Sequence, residues 1–150
     1  MDESKAFASS LASLVRRSHS HDELAKKLAR KGFSPTIIAT TLERLASLGY
    51  LNDEELAVRF AALKAPSWSS RRIVQSLARQ KGIAPHTVAL ALLQARNEVG
   101  EEEAIANFIA KKLRGTGGLA SLNDNEYRKL FASLLRQGFA VDAIKEALRR

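Results

Sequence analysis

Leu28-Ala29-Arg30-Lys31-Gly32-Phe33 closes an amphipathic segment on a glycine, and the same ending returns twice. It recurs as Leu77-Ala78-Arg79-Gln80-Lys81-Gly82-Ile83 and as Leu134-Leu135-Arg136-Gln137-Gly138-Phe139. In each copy an apolar residue and one or more polar or basic residues precede a glycine free to take the left-handed conformation, and an apolar residue follows. That order is a helix C-terminus. The glycines Gly32, Gly82 and Gly138 recur about every 50 residues, and a helical motif at that interval marks tandem repeats that cover their apolar faces against one another.

Helix starts fall between these stops. Leu51-Asn52-Asp53-Glu54-Glu55-Leu56 reads as an N-cap at Asn52, a capping-box partner at Glu55 and a staple between Leu51 and Leu56. Leu122-Asn123-Asp124-Asn125-Glu126-Tyr127 repeats that order, and Ser20 with Glu23 forms a third box. Ser34-Pro35 places a cap before a proline at the first helical position. Amphipathic segments then cover 3–17, 21–31, 35–48, 53–64, 69–81, 85–97, 101–114, 124–137 and 140–149. Ile37, Ile38, Thr41, Leu42, Leu45 and Leu48 share one arc at about 100° per residue, as do Leu56, Ala57, Phe60 and Ala61, and Ile105, Phe108 and Ile109. None alternates as a strand does.

The expected fold is all-α: an elongated array of three tandem three-helix repeats over about 3–50, 51–99 and 100–150 of the single span 1–150. The third repeat owes its extra length to the loop Gly115-Thr116-Gly117-Gly118. The second carries one residue more between Leu77 and Gly82 than the first carries between Leu28 and Gly32. That insertion either rotates the next turn by about 100° or forms a short bulge.

Composition narrows the function classes. The formal net charge of +8 and a pI near 10.1 favour polyanionic partners. The basic excess is nearly equal in each third of the chain, so a surface running along the molecule carries it, not a tail. With no cysteine, disulfides, thiolate catalysis and cysteine-ligated zinc are excluded. The opening Asp2-Glu3 lacks a signal-peptide pattern and no stretch is apolar enough to cross a bilayer, which leads us to expect a cytoplasmic protein without membrane contact. His19 and His21 lack further ligands for a metal, the Gly115–Gly118 loop lacks the Lys-Ser/Thr ending of a phosphate-binding loop, and Ser9, Ser10, Ser69 and Ser70 have no His-acid partners. Neither an enzyme nor a cofactor is expected.

Glu23-Leu24…Leu28…Lys31-Gly32-Phe33, Gly49-Tyr50-Leu51-Asn52-Asp53-Glu54…Ala57…Phe60, Arg72-Ile73…Leu77…Lys81-Gly82-Ile83 and Gly138-Phe139…Ile144…Leu148 together resemble the RecX family over essentially the whole chain. The Gly-Tyr-Leu-Asn-Asp block is the most specific part. The resemblance implies a non-catalytic bacterial modulator of recombination, DNA repair and the SOS response. Members of that family bind the RecA recombinase filament on single-stranded DNA, typically restrain strand exchange and ATP hydrolysis, and can bind DNA directly, duplex included. A monomer is expected.

The densest basic sets lie on the middle helices of the first two repeats: Lys26, Lys27, Arg30 and Lys31, then Arg71, Arg72, Arg79 and Lys81. Stacked repeats could align them into a stripe that follows a phosphate backbone or an acidic protein groove. Alternatively, cations near helix C-termini simply answer the dipole and solvate a face. Trp68, in the connector Ala65-Pro66-Ser67-Trp68-Ser69, either stacks on a partner or pins the loop to the core. Tyr50, after a glycine stop, is expected to pack. The acidic runs Asp53–Glu55 and Glu101–Glu103 occupy first helical turns, where the dipole favours them. A stand-alone basic DNA binder and a scaffold without DNA affinity are the competing functions.

Overall fold

The computed structural model describes residues 2–149; Met1 and Arg150, the extremes of the expected span, lie outside the described residues. Those residues form nine α-helices and no strand. The first trio is α1 (Glu3–Arg16), α2 (His21–Arg30) and α3 (Pro35–Ser47). The second is α4 (Asp53–Lys64), α5 (Ser70–Gln75, continuing into a π-helical turn Ser76–Gln80) and α6 (Pro85–Glu98). The third is α7 (Glu101–Lys112), α8 (Asp124–Arg136) and α9 (Val141–Ala147), with a short 3₁₀ turn at Leu119–Ser121. Among the described residues no helix is long and apolar enough to cross a membrane.

Three clusters of buried side chains hold the trios together. Leu24, Leu28, Phe33, Leu45 and Leu51 centre the first. Ile73, Leu77, Ile83 and Val88 centre the second, where Ala57, Ala61, Ala91 and Ala95 let α4 and α6 pack closely. Ile105, Leu130, Leu134, Phe139, Ile144 and Leu148 centre the third. Each glycine stop delivers its following apolar residue (Phe33, Ile83 or Phe139) into one of these cores. Gly32 and Gly138 reach φ of 93° in doing so, and Phe33 and Phe139 donate their backbone N–H back to Leu28 and Leu134.

The inserted residue of the second repeat becomes the π-turn, not a rotated helix. Lys81 donates to Ser76 O and Ile83 to Leu77 O, each one residue wider than in the other two stops. Leu77 and Ile83 are both buried, so the wider turn takes up the surplus residue and the core register is kept. Two other expectations need correction. Asn52 caps α4 by accepting from Glu55 N, but Glu55 turns to Arg59 at 2.5 Å and leaves the box half-made. The last helix is shorter than expected, at 7 residues against 13 in α3.

Extensive helix packing stays within trios, and the trios meet through end-to-end joints of one design. At the first joint the α2 N-cap Ser20 donates its hydroxyl to Lys81 O, at the end of the π-turn, and His21 N donates to Asp53 Oδ1, the first residue of α4, at 2.9 Å. At the second, the α5 N-cap Ser69 donates to Gln137 O, at the end of α8, at 2.7 Å, and Ser70 N donates to Glu101 Oε1, the first residue of α7, at 3.1 Å. Each cap hydroxyl also accepts the N–H three residues on, so it works in both directions. The middle helices thus run head to tail, positive dipole end against negative.

Candidate nucleic-acid and protein interface

Beside each joint lies a basic cleft. The first, about 490 Å³, is lined by Arg16, Arg17, Lys26, Lys27 and Arg30, with His19, Ser13, Glu23 and Gln80. The second, about 810 Å³, is lined by Arg71, Arg72, Arg79 and Arg136 together with Trp68, Gln75, Ser76, Gln80, Leu135, Gln137 and Gly138. Gln80, the last residue of the π-turn, lines both, so the two clefts adjoin at that turn.

Their electrostatics differ. In the first, Arg17 pairs with Glu23 at 3.1 Å and Lys26 with Asp22 at 2.8 Å. Burial works to raise the Glu23 carboxyl, but the Ser20 backbone N–H, the Arg17 guanidinium and Lys81 outweigh it and hold the group below its ordinary range. His19, almost wholly buried, donates from Nδ1 to Arg17 O at 2.9 Å, and burial pulls its imidazole below the usual value. In the second cleft no lining residue is acidic, and Arg71 and Arg79 make no ion pair among the described residues. Exposed guanidiniums at that density suit bidentate contact with phosphate or carboxylate oxygens.

The second cleft is firmly built. Arg96 donates to Ala65 O, Trp68 O, Val99 O and Ser70 Oγ at 2.6–3.2 Å, tying the connector to α6 and fixing the start of α5. Its guanidinium is pulled down by burial against the pull of Glu101 and Glu102. Arg72 lies over the Trp68 ring at 3.7 Å and donates to Gln137 Oε1 at 2.8 Å, bridging the joint. Lys64 sits 4.8 Å from the ring centroid, and Phe60 meets the ring edge-on at 5.7 Å. Trp68 is therefore half-buried packing that forms a wall of the cleft; its contacts leave little room for a stacked base.

The expected site residues divide. Lys26, Lys27 and Arg30 line the first cleft, and Arg71, Arg72, Arg79 and Trp68 the second. Lys31 lines neither cleft and reaches Ser9 Oγ at 2.5 Å. Lys81 lines neither cleft: 18% exposed, it lies over the Phe60 ring at 5.3 Å and 3.7 Å from Glu23, as part of the first joint. It lines instead a further groove with Leu14, Leu56, Phe60 and Leu63, where Tyr50 is 54% exposed and not packed away as expected. Arg16, Arg17, Arg136 and Gln80 escaped the sequence reading. Each lies at or next to a helix end, where the joints bring residues of another repeat to the same cleft.

A family model described as RecX, first three-helix domain, matches residues 6–45. The chain is 34% identical to the regulatory protein RecX of Pelodictyon phaeoclathratiforme, over 96% of this chain and 87% of that one. To the regulatory protein RecX of Halorhodospira halophila it is 32% identical, over 89% and 80%. The crystal structure of RecX from Lactobacillus salivarius superposes with a TM-score of 0.76 at 22% identity, covering 99% of this chain and 95% of that one, a likeness of fold. On the strength of the whole-length sequence relatives, this chain belongs to the RecX family.

Proposed function

We propose that the chain is a non-catalytic regulator in the cytoplasm that seats along the RecA–single-stranded DNA filament and restrains recombinase and ATPase activity by occupying it. The observation that carries this reading is the pair of basic clefts, the second of which brings arginines from two repeats together with no acid among its lining residues. The partner is what the family resemblance implies, and the relatives, regulatory proteins by name, agree with a regulatory role. In this proposal the three helical trios, about 3–50, 51–99 and 100–150, act as one rigid strip, and Lys26, Lys27, Arg30, Arg71, Arg72 and Arg79, joined by Arg16, Arg17 and Arg136, bear on phosphates or acidic side chains. No chemistry by this chain is required, because a bound strip blocks the movement of filament subunits and strands.

The decisive experiment adds stoichiometric protein to the cognate recombinase on single-stranded DNA and follows ATP hydrolysis and strand exchange. Both are expected to fall; unchanged rates would remove the reading. A second reading, a DNA binder needing no recombinase, draws on the same acid-free cleft. It predicts affinity for naked single strands at least equal to that for the coated filament, with steep salt dependence.

A further inference from the structure

The end-to-end joint is made twice inside the chain, and one unused half of it stands open at each end of the array. At one end α8 begins with Asn123, Asp124, Asn125 and Glu126, all exposed, where the equivalent caps Ser20 and Ser69 are buried under the next repeat. At the other end α2 finishes with exposed Lys31 and Gly32, in the places held by Lys81–Gly82 and Gln137–Gly138 at the internal joints.

The two open halves carry complementary groups at each position the internal joints use. The internal caps must accept from their own helix and donate across the joint. Asn123 already accepts from Glu126 N through Oδ1 at 2.8 Å, and its amide NH₂ remains to donate to a carbonyl at the place of Lys31 O. The third residue of α2 is Glu23, which pairs with Lys81; the third residue of α8 is Glu126, and the matching cation is Lys31. The first residue of α4 or α7, Asp53 or Glu101, receives a backbone N–H across its joint; α1 begins with Glu3 in the same place. The helix dipoles would again meet positive end to negative end.

We propose that the start of α8 in one copy docks on the end of α2 in a second copy, continuing the internal joint from molecule to molecule. Such a contact is heterologous, so copies add head to tail without closing a dimer. It is small, and the internal joints have the advantage of a covalent tether, so free copies associate weakly. On a polyanionic filament that already holds copies in a row, a consequence that rests on the function proposed above, the same contact makes binding cooperative.

The test needs no nucleic acid, which keeps it separate from that reading. Sedimentation velocity at low salt and up to about 1 mM protein, the range set by tethered effective concentrations, should show mass rising with concentration. Lys31→Glu alone or Glu126→Lys alone puts like charges across the contact and should weaken association at least tenfold. An equimolar mixture of the two variants should restore it, because each copy then meets its complement at both ends. Glu126→Gln keeps the capping box and should weaken association less, which guards against a folding defect. A carbodiimide cross-link between Lys31 and Glu126, formed between isotopically distinct copies, should accompany the internal Glu23–Lys81 link. A chain that stays monomeric, a mixture that fails to recover, or an internal link without the intermolecular one would each overturn the proposal.

Discussion

The two joints share a plan and differ in charge. Where α2 meets the π-turn, the second and third residues of the incoming helix are acids, Asp22 and Glu23, and both find cations: Lys26 for Asp22, Arg17 and Lys81 for Glu23. Where α5 meets α8, those positions hold Arg71 and Arg72, at the end of a helix whose dipole is already positive. Only Arg72 is engaged, against Trp68 and Gln137. The first joint spends its charges on cohesion. The second accepts an electrostatic penalty and keeps an anion-attracting surface, which is the pattern expected where function and stability compete.

The backbone fit of the first joint offers the largest expected effect. Gly82 has φ of 63°, and a Cβ there would run into the Asp22 side chain. Gly82→Ala should cost about 3 kcal/mol, from left-handed strain and overpacking together. Gly49, with φ of 84° and nothing within 4 Å of an added Cβ, is the matched control. Gly49→Ala should cost only about 1–2 kcal/mol. Urea unfolding measures both, and equal losses would mean that the joint contributes nothing at Gly82.

The electrostatic contrast comes next. Arg71→Ala/Arg79→Ala/Arg136→Ala should weaken single-strand or filament binding roughly a hundredfold, about 2.7 kcal/mol, with stability nearly unchanged. The logarithmic salt slope should flatten by about 2 if all three guanidiniums meet phosphates of a single strand. The equivalent change at the first cleft, Lys26→Ala/Lys27→Ala/Arg30→Ala, should cost less, since Lys26 is already partly neutralised by Asp22. Fluorescence titrations at two salt concentrations decide it; a larger loss from the first cleft would reverse the assignment.

The caps separate cohesion from binding. Ser20→Ala and Ser69→Ala each remove an N-cap and a hydrogen bond to a carbonyl across a joint, so each should cost about 2 kcal/mol of stability. Only Ser69→Ala should also weaken binding, because it loosens the Arg72–Gln137 bridge in the second cleft. Parallel melting and binding curves test the pair, and identical binding profiles would break the division of labour between the joints.

What the sequence conveyed was chiefly local. Helix stops, caps and apolar arcs are encoded within a few residues, so the three trios could be read from Gly32, Gly82, Gly138 and their neighbours. The surplus residue before Gly82 was visible by counting. Its resolution as a π-turn followed from two distant requirements, that Leu77 and Ile83 both stay buried. The joints were hidden because Ser20 and Ser69 look like ordinary caps, while their second bonds reach 61 and 68 residues away. For the same reason Lys81 was grouped with Lys31, although the neighbouring repeat draws its side chain over Phe60, and Arg136 looked like a simple dipole partner. Periodicity predicts which faces are basic; only the joints decide which of them meet.

The smallest expected effect, a pH dependence, should be confined to the first joint. Burial lowers the His19 imidazole below its ordinary 6.5, so the unfolded chain binds that proton more readily than the folded one. Its contribution to stability is complete above about pH 6.5 and declines as pH falls toward the lower folded value. Glu23 acts in the same sense further down: its carboxyl is held below 4.5, and the stability gained from it is lost as pH falls through that lower folded value. Melting temperature should therefore drop modestly between pH 7 and pH 5, and again below about pH 4.5. His19→Gln should flatten the upper step and leave the lower one, while Glu23→Gln, which can still cap Ser20, should flatten the lower one alone. Hydrogen exchange at the backbone amides of His21 and Ser70 compares the two joints directly. If Ser70 lost protection in step with His21 between pH 7 and pH 5, the acid sensitivity would belong to the whole array, and the distinction between a cohesive joint and a binding joint would not extend to pH.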